Sequence, residues 1–217
     1  PSSPACQPQP AMCTAYKIGP DASRVEIPAL ADFLAALASL PERLVRPTLD
    51  APVMMPDGRL EIMSWGFRRQ FAPKVKGRPP LRRTIVNSRE DKLAGAMWRD
   101  AFQHRRCLIP ATAFFEWIER GGRMVPLRFT RPGGRMIWIA GIWEESPEHG
   151  RCHSMITTEP TAAIARVHDR MPALLPESAA LPYLRGELHA FGPSPVPLEF
   201  QEADNFLKSP PAQGELF

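Results

Sequence analysis

Between Ala29 and Leu40 the apolar residues Leu30, Phe33, Leu34 and Leu37 recur at helical spacing, with Pro28 before them and Pro41 after them, which predicts a short amphipathic helix. Leu60–Trp65, following the turn sequence Pro56-Asp57-Gly58, reads as a strand, and Thr84–Asn87 reads as another. Glu90–His104 is predicted to be helical. Two glycine pairs stand twelve residues apart, in Gly121-Gly122-Arg123-Met124-Val125 and Gly133-Gly134-Arg135-Met136-Ile137. Each separates two strand-like runs, so residues 107–145 are predicted to form a three-stranded meander, and two copies are too few for a solenoid. Cys152–Thr157 predicts a further strand, and Pro160–Val167 a short helix that stops before Pro172. Strands with unevenly placed helices, rather than regular strand–helix alternation, imply an α+β domain.

The ends differ in character from the middle. Residues 1–11 are nearly devoid of large apolar side chains and read as a disordered leader, while the proline-rich tail beyond Gly192 reads as loosely ordered. The expected organisation is a leader over 1–11, one domain over 12–200 and a loose tail over 201–217. With 217 residues, 44% of them apolar, a single domain can bury a sizeable core, and 26 prolines favour many short elements over long helices. No apolar run is long enough to cross a membrane and no secretory signal opens the chain, so the expectation is a soluble protein of the cell interior. Cys6, Cys13, Cys107 and Cys152 include no Cys-x-x-Cys pair, which suggests neither a zinc site nor a disulfide framework.

Charge sharpens this picture at one place. Between Ile62 and Arg89 there are eight basic residues, Arg68, Arg69, Lys74, Lys76, Arg78, Arg82, Arg83 and Arg89, and no acidic one, so that window carries +8 in a chain of net charge +4. Trp65, Phe67 and Phe71 are interleaved with it, which combines phosphate-seeking charge with surfaces for base stacking. The plainer reading is a solvated loop with a solubilising charge run.

Four positions could carry chemistry. Glu116, if it lies in a strand, shares a face with Phe114 and Ile118, where burial disfavours the charged carboxylate and suits it to acid–base work; the alternative is an edge glutamate in water. His168 stands in Arg166-Val167-His168-Asp169-Arg170-Met171-Pro172 at a predicted helix end. An imidazole beside arginines could move protons near a nucleic-acid backbone there, although a lone histidine can equally be structural. Asn87 and Arg89 alternate and so share a face. Cys13 follows Met12 directly. With Met12 removed, it would present a free amine and a thiol on one residue, a pair that condenses with an aldehyde to an imine and closes to a thiazolidine. With its nitrogen held in an amide, Cys13 cannot do so, so this chemistry is expected to require cleavage after Met12.

Taken in order, these pieces resemble the SRAP family (SOS response-associated peptidase domain), known for sensing and shielding abasic sites. The resemblance spans roughly residues 12–180. It rests on Met12-Cys13, Ser64-Trp65-Gly66-Phe67, Asn87-Ser88-Arg89-Glu90, Arg106-Cys107-Leu108-Ile109-Pro110 through Phe115-Glu116-Trp117, Ala140-Gly141-Ile142-Trp143, and Thr157-Thr158 through His168-Asp169-Arg170-Met171-Pro172. It implies a twisted, mainly antiparallel, barrel-like sheet with short peripheral helices. It also implies Cys13 as nucleophile, Asn87 as its orienting partner, Glu116 and His168 as proton-handling groups, Arg89 as a phosphate ligand, and Arg170, Thr157 and Trp117 as DNA contacts. Trp65 and Phe67 would sit in a wedge near the lesion. The implied partner is single-stranded DNA with abasic sites, met by a monomer in the cytoplasm at the nucleoid during the SOS and DNA damage responses, with no cofactor or metal. Lyase action at abasic sites is an implied side reaction. The chain departs from the family where Cys13-Thr14-Ala15-Tyr16 replaces the common Cys-Gly-Arg-Phe, which removes one arginine contact. Two rival readings are a cysteine peptidase acting on its own leader through Cys13 and His168, and a non-catalytic single-stranded DNA-binding module.

Overall fold

The computed structural model describes residues 15–19, 25, 27–73 and 75–206. The described chain opens with β1 (Ala15–Ile18) and helix α1 (Pro28–Leu37), where Pro28 preorganises the first turn and Leu30, Phe33 and Leu37 form the buried stripe. β2 (Arg43–Val45), β3 (Asp50–Met54) and β4 (Leu60–Trp65) follow, the last two joined through the turn at Gly58. β5 (Phe67–Phe71) and β6 (Leu81–Ile85) make a separate two-stranded hairpin, which runs into β7 (Asn87–Arg89). After α2 (Arg99–His104) come β8 (Arg106–Ala111), β9 (Ala113–Arg120), β10 (Arg123–Thr130), β11 (Ile137–Ser146) and β12 (Gly150–Thr158). The short strands β13 (Met171–Pro172) and β14 (Leu174–Leu175), helix α3 (Glu177–Leu184) and β15 (Glu199–Glu202) complete the described elements.

Two sheets carry the architecture. β12, β4, β3, β8 and β11 pair in a ring, since β11 also pairs β12, and this closes a five-stranded barrel that is antiparallel except at β12–β4. The second sheet runs β15-β10-β9-β1-β2 and is wholly antiparallel. The expected α+β domain with a barrel-like sheet is present. One face of the barrel strands, with Val53, Met63, Trp65, Ile109 and Ile139, packs with Tyr16, Phe114, Leu127 and Phe129 of the second sheet. The other face, with Leu108, Trp138, Ile142 and Ile156, is covered by the helices. Each such apolar side chain contributes about 1.5–3 kcal/mol on burial. Arg106, also buried, donates to the carbonyls of Phe102, Tyr183 and Leu188 and so ties α2 and α3 to β8.

Local departures from the sequence reading have physical reasons. The run 107–118 is two strands, because the chain leaves the barrel at Thr112, whose N–H bonds Lys17 O at 2.9 Å, and enters the second sheet as β9. The meander is replaced by one hairpin, β9–β10, and β11 pairs β8 instead of β10. Both faces of β8 are buried, so no alternation marks its end. Glu90–His104 contains only a 3-10 turn at Glu90–Lys92 and the 6-residue α2, and Pro160–Val167 contains only a 3-10 turn at Ile164–Arg166. In the tail, β15 pairs β10 and Phe206 packs on Phe115 and Trp117, so residues 199–206 join the folded body. The leader lies outside the described residues.

Candidate nucleic-acid interface

β7 is held parallel to β12, with Asn87 opposite Met155 and Arg89 opposite Thr157. The join is made at Val86, whose carbonyl accepts both Met155 N–H at 2.9 Å and Trp65 Nε1–H at 3.1 Å. Ser88 and Ser154 share a buried hydroxyl hydrogen bond of 2.7 Å. On the other side of β12, Thr157 lies opposite Pro172 of β13. The turn leading into β13 delivers His168 and Arg170. Asn87, Arg89, Thr157, His168 and Arg170 thus gather from separate stretches of sequence around one end of β12.

This rim is tightly tied. Arg170 donates to Thr157 O at 2.6 Å and lies 3.8 Å from Glu90 and 3.9 Å from Asp91. Glu90 accepts Thr158 Oγ1–H at 2.8 Å and Glu159 N–H at 3.3 Å, while Arg89 forms a two-pronged pair with Asp91 at 3.0 and 3.1 Å. That hydrogen-bonded guanidinium holds the Asp91 carboxyl below its usual range. Thr157 is fully buried, so in this conformation its side chain offers no contact to DNA, contrary to the expectation from sequence; its Oγ1 has no hydrogen-bond partner among the described residues, an unusual state for a buried hydroxyl. His168 Nδ1 lies 3.1 Å from Arg170 N and 2.8 Å from Asp169 Oδ1. The first contact requires Nδ1 to accept and the second requires it to donate, so the two are alternatives set by which ring nitrogen carries hydrogen.

Glu116 stands on β9 of the second sheet, opposite Leu127 and with only 1% of its surface exposed. It shares the inward face with Phe114 and Ile118, as the alternation along the strand predicted. The two sheets meet near it at Tyr16, whose ring packs edge-on against Trp65 with centroids 4.9 Å apart and whose hydroxyl lies 3.3 Å from His153 Nε2. Burial lowers the His153 pKa to about 3, so this ring is neutral at physiological pH. Cys13 lies outside the described residues; Ala15, two positions on, is paired with Phe115, the neighbour of Glu116.

The aromatic expectations need correction. Trp65 and Phe67 are wholly buried and offer no face to a base in this conformation. Trp65 is clasped by Tyr16 and Val86 O, and Phe67 packs with Trp98 at 5.5 Å and under Arg69. Gly66 between them has φ +115°, and a Cβ there would come within 2.4 Å of Thr84, so the chain turns sharply from barrel to hairpin through this glycine. Trp117, on the outward face of β9, is covered by Phe206, leaving 5% of its surface exposed. Residues that sequence reasoning left without a role include Glu90, which organises the rim, and His153, which braces the sheet junction. Glu90 stood beside Arg89 in a recognised motif; nothing local singled out His153. Among the described residues no group of acidic, histidine or cysteine side chains could hold a metal ion, and no helix is long and apolar enough to cross a membrane.

A closed five-stranded barrel braced by an antiparallel sheet, with a polar rim where β7 and β13 flank β12, defines a single-domain α+β protein with its candidate site at a strand end. The chain belongs to the SOS response associated peptidase (SRAP) family, whose model matches residues 12–198. It is 28% identical over 144 residues to the abasic site processing protein YoqW of Bacillus subtilis strain 168, covering 62% of each chain. It is 29% identical over 133 residues to the abasic site processing protein YedK of Escherichia coli strain K12, covering 59% of this chain and 56% of that one. The matches thus span about three fifths of these relatives' length. A solved structure of a protein from Bacteroides thetaiotaomicron shares the fold at a TM-score of 0.67 and 18% identity, covering 92% of this chain and 96% of that one. A protein from Bordetella bronchiseptica does so at 0.64 and 20%, covering 89% and 100%.

Proposed function

We propose that this chain processes abasic sites in single-stranded DNA by capturing them covalently through Cys13 once that residue is the N-terminus. The observation that carries the reading is the gathering of Arg89, Arg170 and His168 at one rim, in a family whose curated relatives are named for abasic-site processing. Arginines beside an imidazole suit a phosphate backbone.

In the proposed reaction the Cys13 amine attacks C1′ of the ring-opened sugar, forming a C–N bond and a carbinolamine. Loss of one water gives the imine. The Cys13 thiolate then adds to the imine carbon, the nitrogen takes a proton, and a thiazolidine results; the net change is the release of one water. Asn87 orients the amine. Glu116, held among apolar side chains, and His168, whose Nδ1 lies within reach of both Arg170 N and the Asp169 carboxylate, manage the protons. β-Elimination from the imine is the accompanying lyase route. Trp65, Phe67 and Trp117 serve as packing that fixes the site rather than as open stacking platforms.

The test is adduct formation on denaturing gels with protein beginning at Cys13 and single-stranded DNA carrying one abasic site. A stable adduct is expected, absent with Cys13→Ala and with intact DNA. A verified uncut chain beginning at Pro1 should bind without forming it, and equal crosslinking by Cys13→Ala would overturn the proposal.

A further inference from the structure

The mechanism leaves unused the most cationic feature of the molecule, the β5–β6 hairpin. Its strands set Arg69 opposite Arg83 and Gln70 opposite Arg82, and with Ser146–His149 from the β11–β12 turn they line a cleft of about 290 Å³. Arg68, Arg69, Arg82 and Arg83 all contribute to its lining. Arg68 is engaged with Gly66 O and Ser64 Oγ, and Arg69 with the Glu144 carboxylate. Arg82, with 74% of its side chain exposed, has only Glu148 at 3.9 Å, an exposed pairing that water and salt largely screen. Arg83 is exposed and, among the described residues, no carboxylate pairs with it. Glu148 also lies 3.7 Å from His149, so four arginines at the cleft meet two glutamates, Glu144 and Glu148.

Position gives this surplus a direction. The hairpin's second strand continues through Val86 into β7, so the exposed Arg82 and Arg83 lie on the same run of chain as the exposed Arg89 at the rim. Six positions separate Arg83 from Arg89 in the sequence, roughly 20 Å of extended chain. The cleft lining offers cations and small polar groups but no aromatic ring apart from His149, a composition that holds phosphates without reading bases. A small anion would need converging buried donors, whereas spaced, solvent-exposed arginines match a polyanion.

We propose that the β5–β6 hairpin is a second phosphodiester-binding site, which holds undamaged strand flanking the lesion, within roughly 20 Å of the rim. This rests on the reading that single-stranded DNA enters the rim. The hairpin then supplies affinity and a preferred strand length, and leaves the chemistry to the rim.

The test uses the full chain and fluorescent single strands carrying a tetrahydrofuran analogue of the abasic sugar, which has no aldehyde and cannot crosslink. Strands of about six and about eighteen nucleotides, within and beyond the length one binding face covers, are compared by anisotropy. Wild type should bind the longer strand about tenfold more tightly or better. In R82E/R83E that gain should fall below about threefold, and the salt slope for the longer strand should fall by about 1.4, two contacts at about 0.7 each. Arg185→Glu, a charge reversal at an exposed site paired with Glu187, is the control. A length gain that persists in R82E/R83E, or that Arg185→Glu removes equally, would overturn the proposal. The readout does not involve Cys13, so failed crosslinking and a failed length dependence are separate results.

Discussion

The rim around Thr157 and the β5–β6 hairpin are both rich in arginine, yet they use it in opposite ways. At the rim, Arg170 is 7% exposed and fixed to a backbone carbonyl, with Glu90 and Asp91 close by. On the hairpin, Arg82 and Arg83 stand in solvent with one distant carboxylate between them. A charge held by several partners keeps one geometry and gives up reach; a solvated one keeps reach and loses geometry. Precision therefore belongs to the rim and capture to the hairpin, although in the sequence Arg89 of the rim reads as a member of the hairpin's basic group.

The contrast is tested most severely at Trp65, which the sequence places in the capture surface and the fold places in the core. As a fully buried ring contacting Tyr16 and Val86 O, Trp65→Ala should destabilise the fold by about 3–5 kcal/mol, measured by denaturant unfolding. A loss of DNA affinity at unchanged stability would return it to the surface. Next comes the rim: Arg170→Ala removes a charge-assisted bond to Thr157 O and should cost about 1.5–3 kcal/mol, with a crosslinking rate that falls more than affinity does. Equal effects on rate and affinity would erase the distinction between rim and hairpin.

Acid sensitivity probes the sheet junction. The folded-state pKa of His153, about 3, lies below that of an unfolded histidine near 6.5, so the unfolded chain binds the extra proton between these values. Stability is full above about pH 6.5 and falls as pH drops, by about 1.4 kcal/mol per unit from this residue, or about 2 kcal/mol by about pH 5. His153→Gln should flatten that slope; an unchanged slope would show that the junction does not titrate through His153. A smaller change is expected at the outer edge, where Phe200 is 55% exposed against Phe129. Phe200→Ala should change stability by no more than about 1 kcal/mol and leave DNA binding unaltered.

Much of this was legible. Leu30, Phe33 and Leu37 marked α1 because one face of a surface helix must be apolar, and the position of Glu116 between Phe114 and Ile118 implied its burial through strand alternation. The order of short motifs pointed to the rim residues before any geometry did. The break at Thr112 was not legible, because a barrel strand buried on both faces shows no period to interrupt. The orientation of Trp65 and Phe67 was hidden for a related reason. Aromatic residues next to arginines fit an exposed stacking surface and a packed hairpin root equally well, and only Gly66, with its positive φ, signals the turn that buries both. Phe206 was read as loose tail because proline content speaks to local stiffness and not to what lies within reach of the chain.

Everything proposed for the rim depends on a free Cys13 amine and its thiol both bonding to the same sugar carbon. Intact mass of the adduct formed by protein beginning at Cys13, followed by peptide mapping, addresses this most directly. The expected mass is that of protein plus DNA less one water, in an adduct stable without reductant and mapped to Cys13. An adduct mapped to a lysine, or one that survives only after reduction, would contradict it.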